Sequence, residues 1–354
     1  MSRVNLERVV KHYGSVVALQ EMDLEIQEGE FLTLLGPSGC GKTTTLRLVA
    51  GFIEPTQGTI YLGNDDVTYV PPQKREIGMV FQDYALFPHM TIADNIGFGL
   101  KERGAGKEEM RNRVGELLDL IHLPGVEDRY PAELSGGQAQ RVAVARAVAY
   151  APRVLLMDEP LGALDLKLRE AMQIELRRIQ QELKITTVYV THDQGEAMNM
   201  SDRIVVMNLG LIEQTGNAED IYNNPRTKFV ADFIGSINFL PAMIVGDEGE
   251  WTVAETVGTK VKVPKSDASS SSGEVAIAVR PERLELIANG GDGINVVPGT
   301  VSNKIFNGNL MRVFVDVGAD EPVVIELPPA EVHSETGDSV NIGWAPQNGQ
   351  VLTE

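Results

Sequence analysis

The pattern of apolar and polar positions divides the chain into three regimes. Up to about residue 240, short β-branched runs alternate with amphipathic helical stretches, which predicts an α/β domain. Phe31 to Leu35 reads as a buried strand, followed by a glycine-rich turn and a helix over Lys42 to Ala50. Val154 to Met157 and Thr187 to Val190 are two further strands. Between them Leu168, Met172, Leu176, Ile179 and Leu183 recur at helical spacing, while Lys167, Arg169, Glu170, Arg177 and Arg178 fall elsewhere around the helix. Strand, helix, strand predicts a parallel crossover unit. From about 85 to 150, helical patterns at Met110, Val114, Leu117, Leu118 and Ile121, and again from Gln138 to Ala149, predict an inserted helical subdomain. Beyond 240 the helical period disappears. Short alternating runs such as Glu274 to Val279, Met311 to Val317 and Val323 to Leu327, separated by Gly, Pro, Asn and Asp, predict a small antiparallel β-domain over 241–354. The polar, low-complexity segment Ser266 to Gly273 reads as a mobile loop tip within it.

Length and charge narrow the function. A chain of 354 residues fits two domains and can bury a sizeable core without disulfides or structural metal. The lone cysteine, Cys40, excludes an internal disulfide and fits a reducing compartment. The longest apolar runs fall far short of the roughly 20 residues that span a bilayer, and the first residues do not read as a secretory signal. The expected location is therefore cytoplasmic. A net charge of −19 argues against nucleic acid as a partner, since neutralising its phosphates needs a basic surface. The acidity is uneven, with 33 acidic and 24 basic residues in 1–240 against 17 and 7 in 241–354, which supports a division near 240.

Three short motifs carry chemistry. Gly36, Pro37, Ser38, Gly39, Cys40, Gly41, Lys42 and Thr43, followed by Thr44, match GxxxxGK[ST] directly after a strand and before a helix. Glycines let the backbone wrap phosphate oxygens, and the helix start adds partial positive charge. Lys42 would reach the β- and γ-phosphates and the Thr43 hydroxyl would ligate Mg²⁺. Second, the strand Val154 to Met157 runs into Asp158 and Glu159, one carboxylate for the Mg²⁺ shell and one to orient or deprotonate an attacking water. Third, Leu134, Ser135, Gly136, Gly137 and Gln138 lead into an alanine-rich helix, a second anion-accepting helix start. A head-to-tail pair of chains could use it to close over the partner's nucleotide. Cys40 inside the phosphate loop allows either a redox role or simply a small residue that fits.

The order of phosphate loop, Gln82, Leu134 to Gln138, Asp158 with Glu159, Ala163 to Asp165 and then His192 resembles the ATP-binding cassette (ABC) ATPases over nearly all of residues 3–235. The resemblance implies an α/β P-loop NTPase fold, with ATP and Mg²⁺ as cofactors. It implies that Tyr13 stacks on adenine, that Gln82 touches Mg²⁺ and the attacking water, and that Asp165 lies at the subunit interface. His192 would contact the γ-phosphate and hold Glu159 and the water in line.

Transport needs its own argument within that family. The chain has no room for the coiled-coil arms of repair ATPases, and it is acidic and single-cassette, unlike ribosome-acting relatives. Apolar residues between Asp83 and Met90 offer a groove for a coupling helix of a separate membrane permease, or alternatively subdomain core. Val279, Arg280, Pro281 and Glu282 resemble the C-terminal OB-like (TOBE) β-domain of importer ATPases for sugars, polyamines, iron and phosphonates, a domain implied to dimerise or regulate. Leu164 to Gln173, Tyr189 to Ala197 and Phe229 to Phe239 most resemble the spermidine/putrescine import ATPases. Gly195 departs from the usual acidic residue there, which keeps aminoethylphosphonate, ferric iron and sugar open as alternatives. The implied partners are a second copy of the chain, permease subunits and, indirectly, a solute-binding protein. The implied location is peripheral, on the inner face of the membrane.

Overall fold

The computed structural model describes residues 2–265, 274–287 and 293–352. The expected loop tip Ser266 to Gly273 lies outside the described residues. The chain forms two compact units, Met1–Asn223 and Asn224–Glu354. In the first, the elements are β1 (Val4–Tyr13), β2 (Val16–Ile26), β3 (Phe31–Leu35), α1 (Lys42–Ala50), β4 (Gln57–Leu62), β5 (Asp65–Asp66), β6 (Ile77–Val80), α2 (Ile92–Glu102), α3 (Lys107–Leu120), α4 (Gly136–Val148), β7 (Val154–Asp158), α5 (Leu166–Leu183), β8 (Thr186–Thr191), α6 (Gln194–Met200), β9 (Arg203–Asn208), β10 (Leu211–Gly216) and α7 (Ala218–Asn223).

Two sheets organise this unit. One is antiparallel, in the order β2-β1-β4-β5. The other runs β10-β9-β3-β8-β7-β6 and is parallel from β9 to β6. Strand β3 lies between β9 and β8, and all five of its residues are buried, as expected for a central parallel strand covered on both faces. Val4, Leu6, Leu24 and Ile26 of the antiparallel sheet pack in one cluster with Leu46 and Val49 of α1 and Leu32 and Leu34 of β3. A second cluster joins Ile92, Ile96, Val114, Leu117, Val142 and Val144 of the helical insertion to Leu155, Met172 and Leu176. These clusters hold β3, β7 and β8 in register, so that their C-terminal ends present the residues that follow them.

Helix α1 is closed at its C-terminal end by Gly51, in the left-handed conformation, and by Arg75. The Arg75 guanidinium, only 2% exposed, donates to Leu48 O at 2.7 Å and Val49 O at 2.9 Å, and also to Val70 O and Thr68 O. Burial pushes it down to about 10, with Asp66 opposing the shift.

The second unit contains α8 (Lys228–Phe233), β11 (Asn238–Glu248), β12 (Trp251–Thr256), β13 (Thr259–Pro264), β14 (Glu274–Val279), β15 (Glu285–Ile287), β16 (Asn295–Asn307), β17 (Leu310–Asp316), β18 (Val323–Leu327), β19 (Ser339–Trp344) and β20 (Gly349–Leu352). They form two five-stranded antiparallel sheets, β13-β12-β11-β14-β20 and β15-β19-β16-β17-β18, around a core of Val261, Ile277, Val313, Ile325 and Ile342. Buried Asn238 joins the sheets, donating to Val279 O and Val324 O and accepting from Val324 N. The expected division at 240 falls inside β11, two residues after its start.

Candidate functional site

The glycine-rich turn between β3 and α1 is held tightly by its surroundings. A Cβ on Gly36 would stand 2.3 Å from Met207 O and 2.7 Å from Cys40 Sγ, and one on Gly41 would stand 2.9 Å from Ala18 O. Gly41 has φ +106°, a conformation that L side chains rarely adopt, so both positions demand glycine. Gly41 starts α1 without a side-chain cap, leaving the first N–H groups of the helix facing the turn. Ser38 and Gly39 are exposed, whereas Cys40 is buried. Burial raises the Cys40 thiol above its usual value, with Lys42 opposing. That is the reverse of what a reactive thiolate requires, and it favours the reading of Cys40 as a small residue that fits.

Lys42 is buried, and its Nζ donates to Gly36 O at 2.7 Å and Pro37 O at 2.9 Å. Its ammonium therefore lies within the loop that the sequence reads as a phosphate cradle. The Thr43 hydroxyl donates to Asp158 Oδ1 at 3.1 Å, joining the start of α1 to the end of β7. Burial raises the Asp158 carboxyl, offset in part by Thr43 and Arg47. Thr44 continues α1 and is half-buried. A hydroxyl and a carboxylate side by side form a hard-oxygen pair suited to Mg²⁺. Mg²⁺ prefers such oxygen ligands and completes its shell with phosphate oxygens and water.

Glu159 follows Asp158 with φ +43°, an unfavourable value for a non-glycine residue, and its N–H donates to Val190 O across the sheet. The twist directs its carboxylate to His192, whose Nδ1 is 3.2 Å from Glu159 Oε2. These two residues follow adjacent parallel strands, which is why 32 intervening positions do not separate them. Gln82 is exposed just beyond β6, with its Nε2 4.0 Å from where a Cβ on Gly162 would lie, in the loop that begins with Glu159. Tyr13 ends β1, 48% exposed, with Lys11 Nζ 4.9 Å from its ring centroid.

Ser135 caps α4 reciprocally, accepting from Gln138 N while its own N–H donates to Gln138 Oε1. Ser135 and Gly136 are exposed. Cβ atoms on Gly136 and Gly137 would press on Leu164 and Leu168, so this helix start rests on the loop containing Asp165, which itself caps α5 by accepting from Leu168 N. Among the described residues no hydrogen bond links Ser135 to Gln138 with the Gly36 to Thr44 turn of the same chain.

Two supports escaped sequence reasoning. Glu196 is buried and accepts from Tyr189 OH and Thr191 Oγ1, each at 2.7 Å. The Asp193-x-x-Glu196 spacing suggests a capping box. Asp193 does accept from Glu196 N, but its own N–H donates to Thr191 Oγ1 and the Glu196 carboxylate turns inward. The loop from Asp83 to Met90 is held from beneath. Arg146 donates to Tyr84 O and Ala85 O, both left-handed residues, and Asn95 bonds the backbone of Phe87, Met90 and Thr91. Burial lowers the Arg146 guanidinium, with Asp83 opposing.

A phosphate loop, a twin-carboxylate strand and a histidine after the next strand define an ABC-type ATPase. The ABC transporter family model matches residues 19–162, and that of the TOBE domain matches 277–352. Spermidine/putrescine import ATP-binding protein PotA of Acidothermus cellulolyticus is 48% identical over 344 residues, covering 96% of this chain and 90% of that protein. The protein of the same name from Thermobifida fusca is 46% identical over 357 residues, covering 99% and 93%. Among solved structures, the dimeric bacterial ABC transporter cassette MJ0796 has a TM-score of 0.55 and 35% identity, covering 61% of this chain and 98% of that one. CbiO1 from Clostridium perfringens, part of the ABC transporter complex cbiONQ, has a TM-score of 0.58 and 30% identity, covering 62% and 89%. The chain belongs to the family of ABC transporter import ATP-binding proteins that these full-length relatives represent. It is an ATPase coupled to transport, and the repair and translation alternatives are not favoured. No helix of the described residues is long and apolar enough to cross a membrane.

Proposed function

We propose that the chain energises import of spermidine and putrescine through a separate membrane permease, working as a head-to-tail pair at the inner face of the membrane and receiving solute indirectly from a binding protein. The polyamine assignment is supported by the spermidine/putrescine import ATP-binding proteins that match almost the whole chain. The mechanism is carried by one arrangement at the C-terminal ends of the parallel strands: Thr43 at the start of α1 against Asp158, and Glu159 against His192 after the neighbouring strands β7 and β8.

The Gly36 to Thr44 turn binds the ATP phosphates, with Lys42 exchanging its loop carbonyls for phosphate oxygens. Thr43, Gln82 and Asp158 would hold Mg²⁺, which neutralises phosphate charge when bound. Glu159 accepts a proton from the attacking water, and His192 keeps that carboxylate and the γ-phosphate in line. Tyr13 supplies the adenine platform. Ser135 to Gln138 of the second copy close the far side of the nucleotide, with Asp165 at the seam between copies. The loop from Asp83 to Met90, pinned by Asn95 and Arg146, offers its outer face to the permease. The C-terminal β-domain, residues 241–354, serves regulation or dimerisation.

Glu159→Gln tests the mechanism. The amide keeps shape but cannot take a proton, so turnover is expected to fall by about 10²- to 10⁴-fold with ATP affinity nearly intact. An ATP-bound dimer should accumulate in size-exclusion chromatography with Mg-ATP. Near wild-type turnover and no dimer would refute the role. Uptake of labelled spermidine, against aminoethylphosphonate, ferric iron and maltose, in cells carrying the chain with its permease tests the cargo.

A further inference from the structure

We propose that Arg169 is a positioning residue that ties the loop after the twin-carboxylate strand to the histidine loop, so that a shift of Leu164 and Asp165 is passed to His192. The inference rests on the ATPase reading above and adds to it a residue outside the nucleotide-contacting set. Arg169 lies in the first turn of α5, its N–H donating to Asp165 O. Its Nη2 donates to Leu164 O at 3.0 Å and its Nη1 to Asp193 Oδ2 at 3.0 Å. One acceptor directly precedes Asp165 and the other directly follows His192, so a single guanidinium spans both loops.

The histidine side of the bridge is stiff. Asp193 caps α6, Thr191 bonds both Asp193 N and Glu196, and Glu196 is fixed from β8 by Tyr189. A displacement of Asp193 therefore carries the backbone of His192 with it. Arg169 Nε is buried, makes no hydrogen bond, and stands 3.9 Å from Glu196 Oε1. A movement of under about 1 Å would complete that bond, giving the bridge a second, tighter arrangement. The rigid guanidinium fork suits this work, because its separate nitrogens reach acceptors on separate segments; a lysine offers one point charge.

The test uses the full chain and single-turnover as well as steady-state ATP hydrolysis, so that slow variants stay measurable. Arg169→Met, which retains much of the side chain's apolar bulk, is expected to lower kcat by about tenfold and leave KM for ATP within about twofold. Arg169→Lys should recover part of the loss. In a His192→Ala background, Arg169→Met should slow hydrolysis no further, because residues that act through one another are not additive. Unchanged kcat in Arg169→Met, or an equal further loss in the His192→Ala background, would overturn the proposal. If Arg169→Met fails to fold, Arg169→Lys compared in the two backgrounds is judged by the same criteria. Failure of the ATPase reading looks different: wild type and Glu159→Gln would then hydrolyse ATP alike.

Discussion

Lys42 shows how much of the site is decided by single residues. Its ammonium is buried and bonded to two loop carbonyls, so on the proposed mechanism ATP would replace those bonds with stronger ones to phosphate. Removing it with Lys42→Ala deletes a charge-assisted contact of about 1.5–3 kcal/mol, which is a loss of roughly 10- to 100-fold in ATP affinity. Fluorescence titration with a nucleotide analogue measures this, and affinity equal to wild type would count against the phosphate-loop assignment. At this scale, legibility followed sequence distance. Gly36 to Thr43 are consecutive, and the space available at Gly36 and Gly41 explains why their spacing could be read. The Glu159–His192 contact could be named only through resemblance: the crossover unit was readable, but not the register that pairs Asp158 with Val190 and sets the residues after the two strands side by side. The Asp193 and Glu196 spacing signals only a helix cap, and nothing in the spacing joins them to Arg169, because that link needs α5, β8 and α6 brought together.

At the scale of elements, the helix carrying the phosphate loop depends on its far end. Arg75 closes α1 by bonding Leu48 O and Val49 O and also bonds Thr68 O and Val70 O; Leu48 O keeps the Gly51 N–H if the guanidinium is removed, but the other carbonyls lose this donor. Arg75→Met fills similar space yet leaves backbone acceptors buried and unpaired, so the chain should lose about 2–4 kcal/mol of stability. Urea unfolding read by circular dichroism checks this, and a change below about 0.5 kcal/mol would show that water or another donor replaces the arginine. Strongly periodic elements were readable: β3, α1, β14 and β18 run over the residues the pattern indicates. The N-terminal antiparallel sheet was not, because register shifts after Leu6, Val9 and Lys11 break the alternation of β1. Helix α2 was hidden by Gly97 and Gly99, poor helix formers in isolation. Their purpose is tertiary. A Cβ on Gly97 would stand 3.1 Å from Met110 Sδ and one on Gly99 3.0 Å from the Tyr150 ring, so close packing on α3 and on the segment after α4 overrides propensity.

At the scale of the whole molecule, composition and lost helical period suggest a division near 240, whereas the compact units divide between Asn223 and Asn224. The discrepancy has a physical cause. Helix α8 still has helical period, so the pattern assigns it to the first domain, yet Ala231 packs with Ala278 and Leu352, and Arg280 donates to Ala231 O and Ser236 O. A chain ending at Leu240 would keep α8 and the first residues of β11 while losing Val279, Ala278 and Ile277, the partners of Asn238, Phe239 and Leu240. Apolar surface would be left uncovered. A chain ending at Asn223 retains both core clusters of the first unit and every proposed nucleotide-contacting residue. It should therefore fold cooperatively and bind ATP. With Mg-ATP at about 100 times its Kd, binding to the native state adds about 2.7 kcal/mol, enough to raise the thermal midpoint visibly. The chain ending at Leu240 should show lower solubility under the same conditions. Differential scanning calorimetry of both truncations, with and without nucleotide, decides the matter: aggregation of the shorter chain, or a transition indifferent to ATP, would place the functional boundary beyond Asn223.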